Sequence, residues 1–420
     1  MRVVPRILAI LPVIACYAFC NQDSDTNVNS RYTVESVEIP PKAESKLSHG
    51  LKDDIRSIVG VKFSQEAIDR LTTRIKKELR GYQIAQKVTK GAKPESLRVI
   101  YEVTRKSPDF VVQPRLAYHS KQNFTFGAVS DINFGDNQNQ KLHVGLLTDN
   151  DGLLERFSGI RGGFSSASFE GRFRGGFVVE SFRSQWNPAV EAALARQEKG
   201  EVPGIYRTRL HVQPRVQVEV LPGVFLAAGV SFQRFQTQFP AARHESSNAL
   251  ISSLRFDRRW EPSGAGKHKL EAGYDLRAAT RSLDSDFAYS RHFFQAEYAF
   301  RQSGNSIRAS FVGGALTGRA PLFDRFLLGN SQTLRGYNKF DIAPLGGNRM
   351  AHGSLDYRYR WFRTVYDTGT VYNRGGQSKV LHSLAAGFTS GHQKDAFSLL
   401  VAFPLRDGRM DPVFILGMSF

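Results

Sequence analysis

Between Arg207 and Val220 the chain alternates with a period of two. Arg207, Arg209, His211, Gln213, Arg215, Gln217 and Glu219 fall on one parity; Thr208, Leu210, Val212, Pro214, Val216, Val218 and Val220 fall on the other. Successive side chains of a strand point to opposite faces, so this run is a strand with one apolar and one densely charged face. The pattern recurs. Lys269, Glu271, Asp275 and Arg277 alternate with Leu270, Ala272, Tyr274 and Leu276, and Ser354, Asp356, Arg358 and Arg360 with Leu355, Tyr357, Tyr359 and Trp361. A soluble sandwich buries the apolar face and leaves the charge in solvent. A membrane barrel does the reverse, and it is the architecture in which a charged inner wall is the natural outcome.

Counting such runs from about residue 110 to Phe420 predicts sixteen antiparallel strands, an even number that brings both chain ends to one side. The connections alternate too. Short turns (Gly135–Gln138, Leu221-Pro222, Ser303–Asn305, Gly391–Gln393) follow even strands, and long segments (Gln185–Gly204, Thr317–Arg349) follow odd ones. Short turns at one rim and long loops at the other are the rule for outer-membrane barrels. Pro214 cannot donate to a ladder, which predicts a bulge or bend in its strand.

Residues 1–20 carry Arg2, Arg6 and a short apolar core, Ile7–Ala15, the pattern of an export signal. Two cleavage readings stand: a conventional signal, and a lipoprotein box at Val13-Ile14-Ala15-Cys16 with Cys16 as the lipidated residue. Both cysteines of the chain lie in this segment, so a conventionally processed protein has none. No later stretch holds eighteen consecutive apolar residues, which excludes membrane-spanning helices and leaves a barrel open. The net charge of +18 could suit nucleic acid or an anionic surface. Its basic residues alternate through strands instead of clustering on a helix, which argues against nucleic acid.

Residues 21–31 read as a polar linker. Residues 32–108 then follow the order β-α-α-β-β: a strand at Tyr32–Ile39, a helix over 46–59, and a second helix capped by Ser64. Ile68, Leu71, Ile75 and Leu79 share one face of that helix, and two strands close the unit at Tyr82–Thr89 and Leu97–Thr104. Residues 109–420 form the barrel.

Near the C-terminus, Leu334-Arg335-Gly336-Tyr337 lies in a long loop between Arg325-Phe326-Leu327-Leu328-Gly329-Asn330 and Leu345-Gly346-Gly347-Asn348. Asp356 and Asp367 follow in two adjacent strands. An arginine fork matches carboxylates in bidentate geometry, so such residues can pin a loop inside a narrow cavity. The last strand carries Phe414, Leu416, Met418 and Phe420 on one face. Catalytic constellations, nucleophile elbows and metal-ligand spacings are absent from the sequence, and no cofactor is expected. The ten histidines form no cluster, and His211 and His292 read as barrel-wall residues.

On these motifs, with Gly417-Met418-Ser419-Phe420 at the end, residues 110–420 resemble the BamA/TamA-type outer-membrane assembly and translocation superfamily, also called the bacterial surface antigen family. Residues 32–105 look like a single POTRA domain, the periplasmic module of that family. The resemblance implies a mainly β protein: a sixteen-stranded transmembrane barrel whose first and last strands meet at a weak seam, preceded by one periplasmic POTRA domain. It also implies Arg335 paired with Asp356 and Asp367, Gly336 permitting a tight turn, and a lipid-facing terminal strand. Assembly machines of the family usually carry several POTRA units, and this chain has room for one. A single-POTRA relative carries a patatin-type lipase, but no Gly-x-Ser-x-Gly motif occurs here. The expected function is insertion or translocation of unfolded or extended polypeptide clients in contact with outer-membrane lipid, with a periplasmic partner at the POTRA domain. The alternatives are a passive pore or structural surface barrel and, more remotely, a lipid or polysaccharide conduit.

Overall fold

The computed structural model describes residues 31–79, 81–105, 109–121, 123–134, 140–148, 156–168, 172–185, 188–196, 204–239, 241–262, 266–390, 396–405 and 411–419. The expected signal segment and residues 21–30 of the expected linker lie outside them. The chain divides into two compact units, Met1–Thr104 and Arg105–Phe420.

The first unit runs β1 (Thr33–Glu38), α1 (Pro41–Glu44), α2 (His49–Ile58), α3 (Gln65–Glu78), β2 (Tyr82–Lys90) and β3 (Ser96–Arg105). Its sheet has the order β1-β3-β2, with β1 parallel to β3. Ser48 and Ser64 start the two longer helices, each hydroxyl accepting a backbone N–H three residues on. The apolar stripes they launch bury Leu51, Ile68, Leu71 and Ile75 against Val34, Leu97, Val99 and Tyr101. Each such side chain removed from water contributes about 1.5–3 kcal/mol, which is what holds so small a sheet to its helices. One turn of helix, α1, was not legible in the sequence; Pro41 sits at its first position, where a missing N–H is harmless.

The second unit is a closed antiparallel barrel. Its strands are β4 (Asp109–His119), β5 (Asn123–Phe134), β6 (Gln140–Thr148), β7 (Arg156–Ser165), β8 (Phe173–Gln185), β9 (Ile205–Leu221), β10 (Val224–Phe239), β11 (Arg243–Ser246), β12 (Ala249–Trp260), β13 (Lys267–Ala279) and β14 (Ala288–Gln302). They continue as β15 (Asn305–Arg319), β16 (Arg349–Tyr359), β17 (Phe362–Tyr372), β18 (Leu381–Ser390), β19 (Ala396–Pro404) and β20 (Val413–Ser419), which closes on β4. The segments β11 and β12 occupy one position, pairing with successive stretches of β10. Between them Asn248 interrupts the ladder, its side-chain oxygen taking the Gln233 N–H. Seventeen segments therefore make the sixteen strands expected from the alternation.

That alternation sorts the wall as expected. Leu210, Phe232, Leu254, Phe311, Leu355 and Phe388 are exposed on the outside, while Arg209, His211, Gln233, His352 and Asp367 are buried within. Tyr298, Tyr359, Trp361 and Phe362 add exposed aromatics near the short-turn rim, where amphipathic rings meet a membrane interface. An outward apolar surface around a polar interior is the surface of an outer-membrane barrel. Pro214 produces no bulge. Gly229 opposes Arg215 and Phe232 opposes Val212 in one continuous register, so the ladder to β10 skips the proline without shifting. A helix of the barrel unit, α4 (Pro188–Ala195), lies in the long β8–β9 connection and buries Val190 and Leu194.

Candidate functional site: the lumen loop and the barrel seam

The connection from β15 to β16 is too apolar to stay in water. Leu322, Phe323, Phe326, Leu327, Leu328 and Leu334 are all buried. Phe323, Phe326, Leu328 and Leu334 pack on wall residues including Phe182, Tyr206, Phe235 and Phe287. Leu322 and Leu327 join Val190 and Leu194 of α4, with Phe340 and Leu345 from the loop's return. Arginines of the wall clamp its rings: the Arg209 guanidinium lies 4.6 Å from the Phe323 ring centre and Arg291 lies 4.7 Å from that of Phe326. Gly314 is required beneath Phe326, because a Cβ there would stand 2.5 Å from the ring.

The tip is set by local chemistry. Asn330 accepts the N–H groups of Gln332 and Thr333 at 2.9 and 2.8 Å, an Asx-type turn. Leu334 takes a left-handed conformation (φ +46°), stabilised by its full burial and by the Tyr337 N–H bonded to its carbonyl. The backbone thus turns over Leu334–Tyr337 with Arg335 and Gly336 at its centre, and a second constraint also demands glycine at 336. A Cβ at Gly336 would stand 2.6 Å from the Pro404 nitrogen, so glycine lets the loop lie against the end of β19. Tyr337 completes the dock, donating to the His382 carbonyl at 3.2 Å.

Arg335 reaches Asp367 twice, from Nη1 to Oδ1 at 2.6 Å and from its backbone N–H to Oδ2 at 3.2 Å. The Ser383 hydroxyl donates to the same carboxylate at 3.4 Å, and His352 Nε2 lies 3.6 Å away. Asp356 does not join them, contrary to the expected trio. Its carboxylate takes Arg363 through Nε and Nη2, at 3.1 and 2.6 Å. Register explains the difference. Ser354 opposes Asp367, so Asp356 sits two residues farther along β16, roughly 7 Å from the level at which the guanidinium docks. A cavity of about 830 Å³ separates the loop tip from this second pair.

A further network was not foreseen. Glu180 accepts from His211, whose other ring nitrogen meets Ser231; Arg277 donates to Ser231, to the Ser247 carbonyl and to Tyr289; Tyr289 donates to Asp324 of the loop. The polar parity of β9 and β13 marked His211 and Arg277 as inward, but only the register brings them together.

At the seam, β20 pairs with β4 over five residues, Arg115 to His119 opposite Ser419 to Ile415. Other junctions carry seven to fifteen register pairs. The Ser120 N–H bonds to the Phe414 carbonyl. With a period of two the donors of 118, 116 and 114 point the same way, and residue 114 is proline. The described ladder stops one residue short of it. Phe414 is exposed and Leu416 half-buried on the outward face. The side chain of Met418 and all of Phe420 lie outside the described residues.

Closed strands, an apolar exterior and an inward loop held by an arginine–carboxylate pair define a transmembrane barrel with a plugged lumen. Residues 273–391, spanning part of β13 through β18 and the whole lumen loop, match the Omp85 superfamily domain. The chain's fold is similar to that of BamA from Haemophilus ducreyi lacking POTRA domains 1–3 (12% identity, TM-score 0.62, covering 93% of this chain and 85% of that one). It is also similar to CdiB from Acinetobacter baumannii (12%, TM-score 0.56, 93% and 74%) and to CdiB from Escherichia coli (12%, TM-score 0.52, 93% and 77%). No curated protein sequence matches the chain.

Proposed function

We propose that this barrel inserts polypeptides into the outer membrane, or passes them across it, by pairing an extended client strand with the edges exposed when β4 and β20 part. The observation that carries this reading is the short seam. Asp109–Pro114 of β4 is hydrogen-bonded to β5 but has no partner on β20 among the described residues. Unpaired strand edges are templates for β-augmentation, and proline is tolerated in a strand where its donor side is free. In this reading the first unit is a single POTRA domain in the periplasm, offering a second free strand edge to clients or a periplasmic partner, and the exterior contacts outer-membrane lipid. The packed loop weighs against a passive open pore.

The register fixes the test. Leu416 opposes Tyr118, so cysteines at these two positions are to be oxidised in cells and scored for assembled or secreted protein, with each single cysteine as control. Loss of that protein on locking, restored by reductant, supports lateral opening. An efficient lock without consequence overturns it.

A further inference from the structure

On the outer wall, at the long-loop end, four strand segments carry a polar row. Arg183 of β8 opposes Thr208 of β9, Thr208 opposes Gln236 of β10, and Gln236 opposes His244 of β11. Residues directly opposite in a ladder share a face, and this face is the outward one: Leu210, two residues below Thr208, is exposed, and Arg234 opposes it. Both arginines are exposed, and neither side chain makes a hydrogen bond or ion pair with a described residue. The carboxylates at this edge are engaged elsewhere. Asp286 takes the Ser246 N–H and hydroxyl at 2.6 and 3.1 Å, and Glu245, on the opposite parity, takes Thr237 and Arg243.

Depth decides what such cations meet. The even-numbered residues of β9 from Leu210 to Val220 are all apolar, a run of about 33 Å along the strand at roughly 3.3 Å per residue. Tilted by about 40°, that run rises roughly 25 Å, the height of the apolar band of an outer-membrane barrel. The polar row begins where the band ends, so its side chains lie in the headgroup layer and not among the acyl chains. Phosphates are the principal anions of that layer, and an arginine fork matches phosphate oxygens in bidentate geometry. Arg183 and Arg234 stand two strands apart and are offset by two residues, about 12 Å between Cα atoms, a gap that two extended arginine side chains can close on one phosphate. Thr208 and Gln236 lie between them with a hydroxyl and an amide for the remaining oxygens. We infer that this patch binds the phosphate of a lipid headgroup in the leaflet at the long-loop rim. The inference rests on the reading above only in that the exterior contacts lipid, and it adds which headgroup chemistry is held and where.

The test uses full-length protein in detergent micelles, read by native mass spectrometry for retained dilauroyl phosphatidic acid. Dilauroyl phosphatidylcholine, whose choline offsets the phosphate charge, is the control. At equal concentration the phosphatidic acid is expected to be retained roughly fivefold more. An Arg183→Gln/Arg234→Gln protein, checked for the heat-modifiable mobility of a folded barrel, is expected to hold the two lipids alike, and Arg183→Lys/Arg234→Lys to keep part of the preference. Arg215→Gln, which alters a cation on the inward parity of β9, is expected to change nothing. Equal or absent retention of the two lipids by the parent, an undiminished preference in the glutamine variant, an equal loss from Arg215→Gln, or displacement of the lipid by equimolar inorganic phosphate would each overturn the assignment. Lipid retention does not depend on the seam. An inert seam lock with the preference intact removes lateral opening alone, and a lost preference with a functional seam removes this inference alone.

Discussion

Arg335 and Asp367 are the residues on which the loop's position depends most directly. Both are nearly inaccessible, their side chains 10% and 0% exposed, so removing one leaves the other charged and buried. Asp367→Ala is expected to lower stability by about 3–5 kcal/mol, the range for breaking a buried pair. Asp356→Ala frees Arg363 beside the aqueous cavity, and about 1–2 kcal/mol is expected, between the exposed and buried limits. Urea titration of the heat-modifiable band compares the two; equal losses would mean that Asp356 shares the loop's anchoring after all. The sequence carried this site unevenly. Alternation placed both carboxylates on the polar parity, but parity says nothing of depth along the strand, and the pairing of β16 with β17 decides which one meets the guanidinium. Gly336 shows the same limit in part: its place in the turn was legible, but the close approach of β19, some seventy residues away in the chain, was not.

At the scale of elements, the alternation was legible because every strand satisfies lipid on one side and a charged lumen on the other. The helices α4 and α5 (Lys339–Ile342) were not legible. Each is short, and each forms because it packs on the loop core, a condition that local sequence does not state. In the first unit the turn joining β2 to β3 hangs on a contact equally remote in sequence. The Glu35 carboxylate of β1 accepts from the Ser96 hydroxyl and the Ala92 N–H, both at 2.7 Å. The Ser96 bond first, and the Ala92 bond second, hold its pKa below that of an ordinary glutamate. A carboxylate whose folded pKa is lowered stabilises the fold above its unfolded pKa and loses that contribution as the pH falls through the folded value. Protection of the Gly91–Ser96 amides, corrected for intrinsic exchange, is therefore expected to drop on acidification below the ordinary glutamate range. Glu35→Gln is expected to show reduced protection at neutral pH and little further acid loss. An acid loss as large in the variant as in the parent would assign the effect elsewhere.

For the whole molecule, sixteen strands enclose a lumen wide enough for water, and what closes it is the β15–β16 loop with α4 laid against it. The loop is held by an apolar core that reaches several strands of the wall, from β8 through β18, and by two ionic anchors, Asp367 to Arg335 and Asp324 to Tyr289 and Arg277. Such a plug is removed cleanly only by removing its core, so a single anchor mutation should loosen it without clearing the lumen. Replacing residues 322–345 with a short Gly-Ser linker is expected to raise the conductance of the purified protein in planar bilayers severalfold, with Asp367→Ala giving brief, smaller openings. Because seven lysines and arginines against three carboxylates line the short-turn mouth, the cleared lumen should favour anions across a KCl gradient, and Arg301→Gln should reduce that bias. A loop-deleted barrel no more conductive than the parent would show that the loop is not the principal barrier. A conductance that rises without anion preference would instead keep the plug and deny the mouth cations their electrostatic reach, since exposed charges act only over a Debye length of roughly 10 Å in 0.1 M salt.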